Sequence, residues 1–249
     1  MSRGSRKHVL DWTESPDFAT EFTTLLEPVP VEISASDPMM PRGYRAPDEA
    51  RLDRVGPVWH SAADWDALQD WWLVHRRGAN TPNWDIAAGC TIEGVRGFVL
   101  VEAKANRREL KEDGKPLQPD ASDASRENDA CIREAVEDAN RGWNAIVPGV
   151  RLSCDSHYQL ANRLAFTWKL ASMGIPSVLV YLGFTGDDGL ESQLQPFIDD
   201  EDWADAFATY RSPVAPESLF ERRHLVGSTP TWLISRSRPV IEASPLAGS

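Results

Sequence analysis

Lysine and cysteine are scarce in this chain of 249 residues, and long apolar runs are missing. Lysine supplies only 5 of the 26 basic residues, so arginine carries most of the positive charge. Cys90, Cys131 and Cys154 stand far apart with no CxxC pair. That spacing argues against a disulfide scaffold and against a structural zinc site. Nothing approaches the roughly 18 apolar residues that a membrane span needs. The basic start "MSRGSRKHVLDW" lacks the apolar region of a secretory signal. The expectation is a soluble, cytoplasmic protein with no membrane partner. Positive charge is also in deficit: 26 basic against 38 acidic residues give a net charge of −12. This disfavours strong non-specific adhesion to nucleic acid or anionic lipid, although a local basic groove can sit on an acidic body.

What is present is ordinary globular composition, 41% hydrophobic and 26% charged, with ten tryptophans as large core anchors. Prolines at 16, 28, 30, 38, 41, 47 and 57 break up the first part of the chain. They exclude long helices and central strands there. Residues 1–57 therefore read as a Pro-rich N-terminal arm packing on the body, with a short strand or turn near "TEFTTLLEPVPVEI". Residues 58–249 read as one α/β domain.

Within that domain, "SAADWDALQDWWLVHRRG" predicts a helix. Ser61 is its N-cap, Asp64 completes the box, Trp65, Leu68 and Trp72 share a face, and Arg76, Arg77 and Gly78 mark the end. Two strands, "WDIAAGCTIEG" and "RGFVLVEAKA", follow around a turn near Gly94. The run Phe98 to Val101 has the continuous apolarity of a strand covered on both faces. Helices are predicted from about Ser125 to Trp143 and over "DSHYQLANRLAFTWKLASMG". Next come an apolar strand "IPSVLVYLGF", an acidic amphipathic helix "PFIDDEDWADAFATYR" and an edge strand "PTWLISRSRPV". The pattern is that of an α/β or α+β sandwich, with helices on both faces of a mixed sheet.

The chemistry gathers at the hairpin. An antiparallel pair brings Asp85 back to Glu102, and alternation puts Glu102 and Lys104 on one face. Two neighbouring carboxylates repel unless a cation lies between them. Oxygen ligands of this kind suit Mg²⁺ or Mn²⁺, and a nearby lysine can position or deprotonate a water or offset developing charge. That is equipment for metal-assisted phosphodiester hydrolysis. The plain alternatives are an ion pair at a strand end with Lys104 reaching outward, and an Asp85 that caps the turn after Pro82.

Asp85…Glu102-Ala103-Lys104 resembles the active-site motif of the PD-(D/E)XK nuclease superfamily, over roughly residues 61–184. The resemblance implies a restriction-endonuclease-like mixed β-sheet flanked by helices. It also implies Mg²⁺ or Mn²⁺ held by Asp85, Glu102 and the Ala103 carbonyl, with Lys104 at the attacking water. A polar residue from a later helix joins such sites, and Gln159 is the candidate, with Asn162 and Arg163 one turn along. Here the first acid sits in "PNWD", two residues beyond the usual spacing from proline. The first helix offers only Asp64, Asp66, Gln69 and Asp70 in place of a glutamate. Arg107, Arg108 and Arg163 are candidates for backbone-phosphate contacts. The expected partner is nucleic acid, DNA before RNA. A protein partner or homo-oligomer would supply affinity that the net charge withholds. The alternatives are a metal-dependent hydrolase of a small phosphoester and an inactive nuclease-fold module for binding or assembly.

Other motifs read plainly. Glu109-Leu110-Lys111 and Asp113-Gly114-Lys115 repeat the acid-x-lysine pattern in a polar loop without an apolar strand, and read as solvated charge. "GFTGDDG" lacks the lysine of a phosphate loop and reads as a surface turn. His157 reads as a solvated or capping side chain. Asp199 to Asp202 read as a helix start, and Trp65, Trp71 and Trp72 as core.

Overall fold

The computed structural model describes residues 4–55 and 62–240. Its helices are α1 (Ser5–Thr13), α2 (Phe18–Leu26), α3 (Ala62–Trp72), α4 (Asp123–Asn144), α5 (Tyr158–Ser172) and α6 (Asp200–Arg211). Its strands are β1 (Val31–Glu32), β2 (Met39–Met40), β3 (Ile86–Ile92), β4 (Val95–Lys104), β5 (Ser177–Thr185), β6 (Arg222–Val226) and β7 (Thr229–Pro239). The described strands form one mixed sheet in the order β1-β3-β4-β5-β7-β6, with β2 also pairing β3. β5 runs parallel to β4 and to β7, and the remaining pairs are antiparallel.

Alternation along the central strands builds two cores. Phe98, Leu100, Leu179 and Tyr181 face α3 to α6, while Val99, Val101, Val178 and Val180 face the N-terminal helices. This is the mixed α/β architecture that the apolar run predicts, since only strands covered on both faces dispense with polar alternation. Ile132, Val136, Ala139 and Trp143 of α4 are buried at helical spacing. That helix starts at Asp123, two residues before the expected Ser125, and Ser122 caps it by accepting the Ser125 amide.

The first segment carries more structure than an arm. Pro16 separates α1 from α2, and Pro28 and Pro30 follow α2. The prolines mark boundaries, leaving two nine-residue helices between them. Val9, Trp12, Phe18, Phe22 and Leu26 then form the layer over the second face of the sheet. α3 is shorter than predicted and ends at Trp72. Asn128 of α4 takes the His75 amide and donates to the His75 carbonyl, both at 2.8 Å, drawing the chain out of the helix. Arg76 folds back on Asp66 and Asp70. The predicted cap Ser61 lies outside the described residues.

Candidate active site

The hairpin ladder positions the acids. Ile86 pairs with Val101, and the Asp85 amide donates to the Val101 carbonyl at 3.1 Å, which places Asp85 opposite Glu102 one rung further on. Asp85 stands just before β3 rather than within it. The preceding rung is closed by Trp84, which exchanges two 2.9 Å backbone bonds with Ala50. Directly opposed residues share a sheet face. Asp85, Glu102 and Lys104 therefore face the side from which α5 brings Gln159 and Arg163.

Glu102 and Lys104 are only 2% and 4% exposed. The Lys104 ammonium donates to Glu102 Oε1 at 2.6 Å and to Gln159 Oε1 at 2.8 Å. Gln159 Nε2 donates to the same Glu102 oxygen at 2.6 Å. Arg163 Nε donates to Glu102 Oε2 at 2.7 Å. Lys104 thus reaches inward, not outward as in the strand-end alternative. Asp85 Oδ2 accepts the Ala103 amide at 2.7 Å, so it secures the end of β4.

The two carboxyl groups part in acidity. Burial pushes Glu102 up, but the charges of Arg163 and Lys104 and their hydrogen bonds outweigh it and hold the group down at about 2. Asp85 is pushed up to about 7, first by burial and then by repulsion from Glu102, against the pull of Lys104.

On the β5 side the site is walled. Tyr181 and Gly183 stand beside Glu102 and Lys104, and the Trp203 ring lies so close over Gly183 that a Cβ there would come within 2.3 Å of it. On the other side a cavity of about 550 Å³ opens, with Asp85, Glu102, Gln159 and Arg163 along its inner wall. Asn162, Trp84, Lys111 and Lys115 also line it.

The expected phosphate contacts are placed differently. Arg107 pairs with Asp202 in the first turn of α6, Arg108 is exposed, and neither lines the cavity. Arg163 lines it but is 7% exposed and engaged with Glu102. The two loop motifs are not simply solvated. Glu109 accepts the Ala105 amide at 2.8 Å and the Ser5 amide at 3.4 Å, so it caps α1 from a distant loop. The 112–115 backbone bonds to Cys154, His157 and Tyr158 at 2.7 to 3.0 Å, and Lys115 pairs with buried Asp129. His157 is also corrected: it is buried in a left-handed conformation (φ 48°), with neither ring nitrogen bonded among the described residues. The Tyr210 ring lies 5.3 Å from the His157 ring, and its hydroxyl donates to the Lys111 carbonyl at 3.3 Å. In "GFTGDDG", Gly183, Phe184 and Thr185 are buried at the end of β5 and only the 186–189 part is a turn at the surface; Asp199 caps α6, as read.

Among the described residues, no group of three or more His, Cys, Asp or Glu is placed to hold a metal. The acids that converge here are two. Their fit to a cation rests on Asp85, a carboxyl at a cavity wall whose ionisation is opposed by burial and by a neighbouring carboxylate. Positive charge beside it would reverse both effects. Comparison with family models, with curated proteins and with solved structures finds no match for this chain. No described helix is long and apolar enough to cross a membrane.

Proposed function

We propose that this chain is a metal-dependent phosphodiester hydrolase of nucleic acid, built on a restriction-endonuclease-like fold, with DNA expected as substrate before RNA. One observation carries the reading. Two carboxyl groups stand opposite each other on one sheet face at a cavity wall, with Lys104 and Gln159 bonded to one of them. The succession of α3, the β3–β4 hairpin, two helices and a strand parallel to β4 supports the fold reading.

Asp85, Glu102 and the Ala103 carbonyl would hold Mg²⁺ or Mn²⁺. Such an ion, when bound, supplies Lewis acidity and a water of lowered pKa. Lys104 keeps an N–H donor beside the acid pair, and Gln159 fixes its direction by binding both Lys104 and Glu102. The wall of Tyr181 and Trp203 keeps bulk water from that side and strengthens each charge interaction inside. The net charge of −12 implies a narrow substrate, or a protein partner or second copy that adds affinity.

The cavity's size favours a second reading, hydrolysis of a small phosphoester at the same acids, because about 550 Å³ lies in the range of small-molecule sites. The test is cleavage of supercoiled, linear and single-stranded DNA, of RNA and of a small phosphodiester, with Mg²⁺ or Mn²⁺. Lys104→Ala and Asp85→Ala run beside the wild type. Loss of DNA cleavage in both variants supports the proposal. Equal cleavage by all three proteins overturns it, and turnover of the small ester alone selects the second reading.

A further inference from the structure

We propose that Arg163 is the resident counter-cation of the acid pair, and that a divalent ion must draw Glu102 away from Arg163 in order to load. The inference rests on the metal reading above. Neither oxygen of Glu102 is idle. Oε1 receives Lys104 and Gln159, and Oε2 receives Arg163. Any cation that uses Glu102 must compete with at least one of these donors.

Of the two cations bonded to Glu102, Arg163 is the one that lines the cavity. It is built into the site: its guanidinium lies 4.4 Å over the Trp84 ring, and Nη1 donates to Asn162 Oδ1 at 3.1 Å. A guanidinium stacked on an indole and paired with a carboxylate is held in orientation as well as in place. In the ionised state, Asp85 and Glu102 set two negative charges against the two positive charges of Lys104 and Arg163. The set is neutral without a metal. A divalent ion added to it leaves two surplus positive charges in a largely buried space, which is costly. Release of Arg163 from Glu102 relieves that surplus at the pair. The cavity that Arg163 lines gives the guanidinium a place to turn. Lys104 is less able to leave, because Gln159 ties it to Glu102 and the Trp203 wall closes the far side.

Arg163 is therefore a positioning residue that sets cation affinity. The test is titration of the wild type, Arg163→Met and Arg163→Lys with Mn²⁺. Calorimetry and the electron paramagnetic resonance signal of the free ion report uptake, and thermal unfolding with and without Mn²⁺ is followed alongside. Arg163→Met is expected to bind Mn²⁺ about tenfold more tightly than the wild type, the scale of one lost ion-pair competitor. It should also gain more thermal stability from Mn²⁺. Arg163→Lys, whose compact ammonium cannot reproduce the stacked geometry, should fall between the two and carries the test if the methionine variant does not fold. Unchanged or weaker affinity in the folded variants, with uptake by the wild type, overturns this inference and leaves the metal reading standing. No uptake by the wild type or any variant overturns both.

Discussion

Asp85 and Glu102 face each other across the last rung of the β3–β4 hairpin, and their surroundings treat them in opposite ways. Glu102 receives one ammonium, one amide and one guanidinium; Asp85 receives a single backbone amide. Glu102 is held down at about 2 and Asp85 is pushed up to about 7. Each shift has a consequence for stability, and the two have opposite signs.

Asp85 comes first. Its folded pKa lies above the ordinary 3.8, so its contribution is complete below 3.8 and is lost as pH rises through about 7. Asp85→Asn keeps the acceptor for the Ala103 amide and removes the charge. The variant should match the wild type near pH 4 and exceed it at pH 8 by about 1 kcal/mol or more, roughly 3 °C in Tm. Thermal unfolding across that range checks it, and a wild type more stable than the variant at pH 8 would refute the burial argument.

Glu102 shows the reverse. Its folded pKa lies below 4.5, so its contribution is present above 4.5 and is lost as pH falls through about 2. Glu102→Gln leaves Lys104 and Arg163 buried without the carboxylate they bond, with Asp85 as the remaining acid. The expected loss at neutral pH is about 3 kcal/mol, as for one removed partner of a buried pair. Urea unfolding should show that gap narrowing at pH 3.

How far this arrangement was legible in the sequence follows from what sequence patterns encode. Alternation and turn position are local, so the hairpin, its register and the shared face of Glu102 and Lys104 could be read from Asp85 to Lys104 alone. Gln159 was reachable through the resemblance, which implies a polar residue from a later helix, and Gln159 stands near the start of α5. The partnership of Arg163 with Glu102 was not, since it depends on where α5 lies over the sheet, and an arginine one turn from a candidate site reads equally well as a phosphate contact. α1 and α2 were hidden for another reason. Proline density excludes long helices, and the two short ones escape that argument: Val9, Trp12, Phe18 and Phe22 lie in stretches that the prolines only punctuate. Glu109 looked solvated because its partners, the Ser5 and Ala105 amides, are settled by the fold.

The arginines give a contrast in activity. Arg107 spends its charge on Asp202 and does not line the cavity. Arg107→Ala should therefore change DNA cleavage by no more than about twofold, as expected for a half-buried pair away from the cavity. Lys104→Met, in the walled interior, should lower cleavage by about a hundredfold or more. Rates measured side by side at saturating Mg²⁺ decide it, and a large Arg107 effect would move the substrate path towards α6.

The N-terminal helices yield a stability test. Deleting residues 1–30 strips the cover from the face that carries Val99, Val101, Val180 and Leu182. Exposing so large an apolar surface forfeits the burial that holds a domain folded. The truncated chain should lose its near-ultraviolet circular dichroism and bind a hydrophobic dye. A truncated protein that melts cooperatively near the wild-type Tm would mean that this layer is dispensable for the fold.

Two glycines test how firmly the wall behind Lys104 is built. A Cβ at Gly183 would fall 2.3 Å from the Trp203 ring, and one at Gly142 would fall 2.1 Å from the Trp168 ring. The distances are similar, but the neighbours are not. Trp203 is fully buried, stacks on Phe207 and donates to Ser235, so moving it breaks these contacts. Trp168 is half-buried and can turn outward. Gly183→Ala should therefore destabilise by about 2 kcal/mol, the range for overpacking a core. It should also lower activity, because Gly183 is the β5 neighbour of Lys104. Gly142→Ala gains up to about 1 kcal/mol of helix propensity to set against its clash. It should leave both stability and cleavage near wild type. Chemical denaturation paired with cleavage rates separates the two, and a Gly183→Ala protein with unaltered cleavage would mean that the aromatic wall does not position Lys104.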